Sequence, residues 1–389
     1  MIDRVVFPFR GAELGGSHIA AFTLGEALQA QGGVVCVIVC PANTLIEREA
    51  QRLGFQTVAS GEAPTGSNSV VTDMLWASRR RDVLNRASND ARDVVVHCSD
   101  INTLRSWGLA AKLAALKVVY HHHALNRLVW PPHLVSLAYA DAVVGVSDAT
   151  VRKVRGWRSD AVKELNPFLL DLSIDRGKAR SDLLEEYGWS PDSRVVGWVG
   201  NFWKRKRPLF FLEVAAELYR RDGRYRFVMF GRDGDHSRKE LTGLAQQLGL
   251  AGTVALPGFR QPAELNIACL DLLLAPAPQE PFGRTLVEAI LLGTPVAATS
   301  GAGHSEILAA WGGGELLDPA ATPLQMAGVC ERILQDSGRV TLPAPARRAI
   351  AEQLEPQQHA ARMMDIYANA TRRDSKPANA TAQTEGGYR

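Results

Sequence analysis

The sequence predicts an α/β protein built from two Rossmann-like, doubly wound domains that face a central cleft. Three observations support this. Short β-branched runs alternate with helical patterns, the alternation occurs in two successive series, and a length of 389 residues suits two domains of ordinary size. Strands separated by helices indicate parallel sheets, whose ligands bind in the crevice at the carboxyl ends of the strands. We therefore expect the functional site in the cleft.

The first series begins with a βαβ unit and predicts one doubly wound sheet for a first domain, residues 1–170. Its predicted elements are strands at 5–9, 34–40, 94–97, 117–121 and 142–146, and helices at 17–31 and near 103–116. A further segment, 74–84, mixes apolar and basic residues. Two interpretations of it stay open: a surface helix of the first domain, or an interfacial helix that lies at a membrane surface.

The second series predicts a second domain over residues 171–356, with the join near 166–178, where a proline and an acidic turn follow the last strand of the first series. Its predicted strands lie at 195–199, 226–230, 253–256, 272–275 and 295–299. Residues 357–371 have a helical pattern and are a candidate for a C-terminal helix that crosses back to the first domain. Residues 372–389 lack apolar periodicity, which predicts a disordered tail.

Composition and charge exclude several classes of protein. Hydrophobic residues make up 46% and charged residues 22% of the chain, as in soluble globular proteins. The formal net charge of +3 is too small to indicate a nucleic-acid partner. No apolar stretch reaches the ~18 residues of a spanning helix, and the N-terminus lacks a signal-peptide pattern. We expect a cytoplasmic location, with peripheral attachment to the inner face of the membrane as an alternative. The scattered cysteines are interpreted as reduced core residues.

Two glutamates in the segment 272–296 are the first candidates for a site. The segment predicts a strand, a loop, a helix and a strand in succession, with Glu280 in the loop and Glu288 in the helix. The free N–H groups at the start of that helix would form a seat for phosphate. A carboxylate beside such a seat can accept two hydrogen bonds from a vicinal diol of a sugar or ribose. Two glutamates at this spacing alone would be interpreted as surface charges, so the context decides.

That context is a set of short segments that occur in the expected order. They are 276–280, 282–283, 286–289, 293–296 and 301–306. Together they resemble the signature of family-4 retaining glycosyltransferases, which have the two-domain GT-B fold. The strand at 226–231 followed by Gly234 is similar to that family's strand and glycine loop. The resemblance covers most of residues 1–360 and is most specific in the second half.

The resemblance implies a role for each matching residue. Glu288 would hold the donor ribose, and Glu280 would lie at the transferred sugar. The strand and turn that end in Gly258 and Phe259 would hold the nucleotide base. Backbone amides at the helix start would meet sugar hydroxyls or phosphate, namely those around Phe282, Gly283, Arg284 and Thr285.

The upstream loop, 195–206, occupies the place of the family's diphosphate-binding loop but departs from its pattern. The family usually has an arginine directly after the glycine of this loop, where this chain has Asn201. Lys206 keeps the spacing of the family's lysine, and Arg205 beside it would supply the missing guanidinium. A guanidinium and an ammonium can neutralise a leaving diphosphate without a metal. The alternative is that residues 204–207 are a solvated charge run.

The first half offers two further candidates at predicted strand ends. Gly15 and Gly16 lie between the first strand and the first helix, where the family has a glycine pair close to the donor phosphate or the acceptor; a plain tight turn is the alternative. Three histidines, 121–123, end a strand, and the resemblance implies that one contacts the donor sugar. His123 is our first choice and His122 the second. A metal site is the alternative, but neighbouring side chains in a strand diverge.

The sequence therefore predicts a retaining hexosyltransferase, with Arg205, Lys206, Glu280 and His123 in catalytic roles. We expect a UDP- or GDP-sugar as co-substrate, a saccharide or lipid-linked acceptor, and no resident cofactor or metal. The resemblance implies polysaccharide or lipid-linked glycan biosynthesis as the context. Two alternatives stay open: a catalytically silent partner that keeps the nucleotide pocket, and another GT-B enzyme such as a sugar-nucleotide epimerase.

Overall fold

The structure, a computed structural model, describes residues 2–12, 14–61, 70–125 and 130–372, without the side chains of Val70 and Arg372. The predicted tail lies outside the described residues from position 373 onwards. Two parallel sheets form the framework, as predicted. The seven-stranded first sheet has the order β3-β2-β1-β4-β5-β6-β7, and its strands are β1 (Arg4–Pro8), β2 (Val35–Cys40), β3 (Gln56–Ala59), β4 (Val94–Cys98), β5 (Lys117–His122), β6 (Ala142–Gly145) and β7 (Val162–Lys163).

The second sheet repeats this doubly wound arrangement. It is six-stranded with the order β10-β9-β8-β11-β12-β13, and its strands are β8 (Arg194–Val199), β9 (Tyr225–Phe230), β10 (Val254–Gly258), β11 (Leu272–Ala275), β12 (Val296–Thr299) and β13 (Gly314–Leu317). In each sheet the strand order reverses direction beside the first strand of the series. Such a switch point leaves a crevice at the carboxyl edge.

Helices cover both faces of the two sheets. Those of the first series are α1 (Gly16–Ala30), α2 (Leu45–Arg52), α3 (Val70–Ser88), α4 (Ile101–Leu113), α5 (Pro131–Leu137) and α6 (Asp148–Arg155). Those of the second are α7 (Arg176–Glu186), α8 (Pro208–Arg221), α9 (Arg238–Gln247), α10 (Leu265–Ala268), α11 (Arg284–Leu292), α12 (Ala302–Trp311), α13 (Pro323–Gln335), α14 (Ala344–Gln353) and α15 (Pro356–Arg372).

Side chains that alternate along each buried strand supply the two cores of a sheet. In β1, Val5 and Phe7 join the core beneath α1, whereas Val6 joins the core on the opposite face with Leu84 of α3 and Trp107 of α4. All three β1 side chains are fully buried. This two-sided burial explains why the strands are continuous apolar runs and not alternating ones.

The last helix, α15, crosses back to the first domain, as the fold prediction allowed. Its Met363 and Tyr367 are fully buried in the core that contains β1 and α1. The Tyr367 hydroxyl lies 2.7 Å from Nδ1 of His97 on β4. Glu164, just after β7, accepts from Nδ1 of His359 at 2.9 Å and Nε of Arg362 at 2.8 Å. Helix α15 is therefore a structural part of the first domain.

We found no helix within the described ranges that is both long enough and apolar enough to cross a bilayer.

Candidate active site

The carboxyl ends of β8 and β11 bring together the charged residues that the sequence singled out. After β8 the chain forms a single 3₁₀ turn, Lys204–Lys206. Its last two side chains point at Glu280, in the loop between β11 and α11. Oε2 of Glu280 lies 3.2 Å from Nη1 of Arg205 and 3.8 Å from Nζ of Lys206. Residues 75 positions apart thus form one ion cluster at the cleft.

The Glu280 carboxylate stays ionised in this cluster. Burial alone would raise its pKa, but the positive charges of Lys206 and Arg205 outweigh burial and lower the pKa below its ordinary value. Glu280 and Lys206 line a small cavity together with Thr285 and His304. Burial lowers the pKa of His304, whose Nδ1 donates to the Thr299 carbonyl at 3.2 Å. The cavity wall therefore combines fixed charges of both signs with a neutral imidazole.

Helix α11 begins at this cavity because Gly283 turns the chain into it. Gly283 has φ 99°, which L side chains rarely adopt, and a Cβ there would lie 2.9 Å from Cδ2 of His304. The helix starts at Arg284. The N–H groups of Leu286 and Val287 donate to the Gly283 carbonyl, so the N–H groups that lack an intrahelical partner are those of Arg284 and Thr285. These N–H groups and the helix dipole favour an anion at this point. The position is the predicted phosphate seat.

Glu288 lies one turn further along α11 and has a different environment from Glu280. Burial raises its pKa, against the opposing effect of Arg284, whose Nη2 lies 3.6 Å from Glu288 Oε1. The Arg284 guanidinium also stacks on the Phe168 ring at 4.4 Å and donates to the Pro167 carbonyl at 3.4 Å. The Arg284 side chain thus links α11 to the segment that connects the two sheets.

The predicted base-binding turn lies at the end of β10. Gly258 has φ 84°, and a Cβ there would lie 2.5 Å from Nη2 of Arg238. Phe259 is half-exposed, and its ring faces the guanidinium of Arg232 at 4.2 Å. An exposed aromatic ring with a cation over its face is a suitable surface for a planar base.

Asn201 lies at the position of the family's usual arginine, and its hydrogen bonds are to nearby backbone. Its Oδ1 accepts from the backbone N–H of Arg232 at 3.4 Å, and its carbonyl accepts from the N–H of Trp203 at 2.6 Å. The guanidinium at Glu280 comes instead from Arg205. This position favours the prediction that Arg205 supplies the second positive charge.

The first domain contributes its glycine pair from across the cleft. Gly15 precedes α1 as its N-cap, and its N–H donates to Nδ1 of His18 at 3.0 Å. A Cβ at Gly16 would lie 3.6 Å from Cδ of Arg284. The start of α1 therefore faces the start of α11, and a Cβ at Gly16 would be in van der Waals contact with the Arg284 side chain.

The three consecutive histidines have different surroundings. His121 and His122 are fully buried, and Nδ1 of His122 lies 2.5 Å from the Tyr120 hydroxyl. His123 is partly exposed; its Nδ1 donates to the Ser99 carbonyl at 2.9 Å, and its Nε2 lies 3.2 Å from Asn166 Oδ1. The geometry favours His123 over His122 as a contact in the cleft. Among the described residues, no group of three or more His, Cys, Asp or Glu side chains could hold a metal ion.

Sequence reasoning missed two residues that join the domains at this site. The Ser147 hydroxyl, just before α6, donates to the Pro281 carbonyl at 2.6 Å. Glu306 of α12 accepts from the N–H groups of Asp148 and Ala149, each at 2.7 Å. Glu306 ends one of the segments that carry the family resemblance, which was a signal for its importance. For Ser147 the sequence signal was weaker, because a serine at this position indicates only a helix N-cap.

Comparisons with known proteins agree with this fold. Residues 180–353 match the family model of glycosyl transferases group 1. The chain is 28% identical over 253 residues to a D-inositol 3-phosphate glycosyltransferase of Xylanimonas cellulosilytica, covering 60% of each protein. It is 30% identical over 166 residues to an alpha-D-kanosaminyltransferase of Streptomyces kanamyceticus, covering 42% of each. The chain thus spans 60% or less of the length of these two relatives.

Among solved structures, Anabaena HepE in complex with UDP and glucose has a TM-score of 0.78, at 18% identity, and the match covers 95% of this chain and 100% of that one. This likeness concerns the fold alone. The predicted GT-B fold and the predicted resemblance to glycosyltransferases are confirmed.

Proposed function

We propose that this GT-B protein, whose residues 180–353 match glycosyl transferases group 1, is a retaining glycosyltransferase that moves a hexosyl group from a nucleoside diphosphate sugar to a hydroxyl acceptor. The observation that carries the proposal is the ion cluster of Arg205, Lys206 and Glu280 beside the N-terminus of α11. Two cations that meet at Glu280, close to a helix N-terminus, suit a group that gains negative charge as it departs.

The donor in this proposal is a UDP- or GDP-sugar. HepE, which shares the fold, was solved with UDP and glucose and also with UDP-glucose. The Glu288 carboxylate would accept from the ribose diol, and the half-exposed Phe259 would lie against the base. Arg205 and Lys206 would take the place of a metal at the diphosphate, so we propose turnover without a divalent cation.

In the transfer step, the bond between the anomeric carbon and the diphosphate oxygen breaks and a bond to the acceptor oxygen forms on the same face. Arg205, Lys206 and the first N–H groups of α11 stabilise the negative charge on the leaving diphosphate. The leaving phosphate oxygen accepts the proton of the acceptor hydroxyl. Glu280 orients the hydroxyls of the transferred sugar, and His123 contacts that sugar from the first domain. Closure of the cleft would exclude water.

The acceptor would enter along the carboxyl edge of the first sheet. There the start of α3 leaves Met74 61% and Leu75 75% exposed, and Trp130 near α5 is partly exposed. Such side chains suit a saccharide that carries an apolar part, so we propose a saccharide or lipid-linked acceptor and a peripheral location at the inner face of the membrane.

The proposal is tested with a panel of UDP-, GDP- and ADP-sugars, measuring both binding and release of the nucleoside diphosphate in the presence of EDTA. The Lys206→Ala variant should lose roughly two to three orders of magnitude in turnover, as expected when a charge-stabilising group is removed. Lys204→Ala is the matched control, because Lys204 precedes the pair in the same basic run and is exposed.

Three outcomes count against the proposal. Equal turnover of the Lys206→Ala variant and the wild type would refute the assigned role of Lys206. Equal losses in both lysine variants would mean that the effect comes from the basic run as a whole and not from the contact of Lys206 with Glu280. Binding without turnover across the whole panel would instead identify a catalytically silent nucleotide-sugar-binding protein.

A further inference from the structure

The loop that carries Glu280 is held from both of its sides. From the second domain, the Gly303 N–H donates to the Glu280 carbonyl at 3.0 Å. A Cβ at Gly303 would lie 2.1 Å from the Phe282 carbonyl oxygen, and one at Gly301 would lie 2.2 Å from the Pro278 carbonyl oxygen. From the first domain, the Ser147 hydroxyl donates to the next carbonyl, that of Pro281, at 2.6 Å. The loop therefore has little freedom to move independently of either domain.

A second contact between the domains lies next to the first. The Glu306 carboxylate bridges the N–H groups of Asp148 and Ala149 with one oxygen each, at the positive end of α6. Ser147 is the N-cap of that same helix and accepts from the Thr150 N–H at 3.1 Å. Because α6 directly follows β6, both contacts move with the first sheet. Opening the cleft at this point must break three hydrogen bonds together.

From this geometry we infer that Ser147 and Glu306 are positioning residues that couple closure of the two domains to the placement of Glu280. Neither side chain needs to touch the substrate. By its hydrogen bond to Pro281, Ser147 fixes the position of the loop relative to Arg205 and Lys206. Glu306 holds the start of α6 against α12, which keeps Ser147 within hydrogen-bond distance of Pro281. The inference rests on the proposed function, because it assigns the contact a role in transfer.

A purely structural role would have a different signature. Ser147 also caps a helix, so its replacement costs cap stability whatever else it does. Thr44, the N-cap of α2, is a matched control. Helices α2 and α6 both have eight residues and both belong to the first domain. Thr44 accepts from the Glu47 N–H at 3.2 Å and makes no hydrogen bond, among those described, to the loop that carries Glu280.

The test compares the wild type with Ser147→Ala, Glu306→Ala, Glu306→Gln, the double alanine variant and Thr44→Ala. Turnover and KM are measured by hydrolysis of the nucleotide sugar that the wild type accepts, and UDP and GDP binding by calorimetry. Each single alanine variant should lower turnover about tenfold while nucleotide affinity stays within about twofold, since one to two hydrogen bonds outside the nucleotide pocket are lost.

Glu306→Gln, which keeps one acceptor oxygen, should recover part of the loss. The double variant should lose less than the product of the single losses, because both contacts hold the start of α6 against the second domain. Unchanged turnover in both alanine variants would overturn the inference, as would an equal loss in Thr44→Ala.

Small-angle X-ray scattering separates failure of the inference from failure of the proposed function. The Glu306→Ala variant should have a larger radius of gyration than the wild type, and Thr44→Ala should not. If the wild type turns over no donor, the proposed function fails, but this comparison still decides whether the contact holds the domains closed. An unchanged radius of gyration would then overturn the coupling itself.

Discussion

The buried imidazoles of the first domain are kept neutral by their surroundings. Burial lowers the pKa of His97 to about 3 and that of His122 to about 4, from an ordinary value of 6.5. Neighbouring rings add to the effect, since a proton on one would repel a proton on the next: His123 and His359 lower the pKa of His97, and His123 lowers that of His122. Each ring therefore contributes as an uncharged core group.

These shifts predict a loss of stability in acid. Between pH 6.5 and about 4 the unfolded chain binds protons at these histidines while the folded chain does not, so stability is present above 6.5 and is lost as the pH falls. Urea unfolding near pH 7 and near pH 5 should show this loss. The His122→Asn variant should show a smaller difference between the two pH values, because one shifted group is gone. If the variant and the wild type lost the same stability between the two pH values, His122 would not be one of the groups responsible for the loss.

At the residue scale, the sequence identified the charged residues of the site better than the side chains that they contact. Glu280 and Lys206 were identifiable because residue type and spacing matched a pattern, and the structure brings them to 3.8 Å. The pairing of Arg284 with Glu288 and Phe168 was not foreseen, because it depends on which way a guanidinium turns after the chain folds. His121 and His122 could not be separated from His123 before burial was known.

At the scale of elements, the site depends on how closely two helix starts approach. The loop before α11 and the turn before α12 are in van der Waals contact through Gly283, Gly301 and Gly303, where any side chain would meet backbone or a buried ring. This contact brings the Gly303 N–H within hydrogen-bond distance of the Glu280 carbonyl. Small residues here are required by the approach of the two backbones.

Gly303→Ala tests this requirement. Its methyl group would meet the Phe282 carbonyl, so we expect a loss of about 1–3 kcal/mol in the free energy of unfolding, as for overpacked sites. Gly243→Ala in α9 is the control, since nothing lies within 4 Å of the added methyl group and alanine favours a helix by about 0.5–1 kcal/mol. Chemical denaturation of both variants checks the prediction, and equal stabilities would contradict it.

The elements that the sequence predicted are those with strong apolar runs. The predicted strand at 272–275 and the observed β11 coincide, and most others agree within one or two residues. Strands β3, β7 and β13 were missed for a common reason: they are short and lie towards the sheet edges, with side chains that are only partly buried or exposed. The apolar pattern of a sequence does not predict a short edge strand, because such a strand forms through hydrogen bonds to the neighbouring strand.

At the scale of the whole molecule, the described part of the chain crosses the cleft twice. It passes from the first sheet to the second after β7 and returns as α15, which completes the core of the first domain. The alternation of strands and helices was enough to predict two doubly wound domains. The contacts between them, at Ser147 and Glu306, required the structure, because polar residues at a domain interface have no local periodicity.

The returning helix leads to a prediction that separates the two domains. Met363 is fully buried in α15 among residues of the first domain, so Met363→Ala should lower the free energy of unfolding by about 2–5 kcal/mol. Because the cavity lies in the first domain, hydrogen exchange should accelerate in β1 and β5 more than in β8 and β9. Asn369→Ala, at an exposed position of the same helix, should change stability by no more than about 0.5 kcal/mol. Faster exchange confined to β8 and β9 would mean that α15 stabilises the second domain instead.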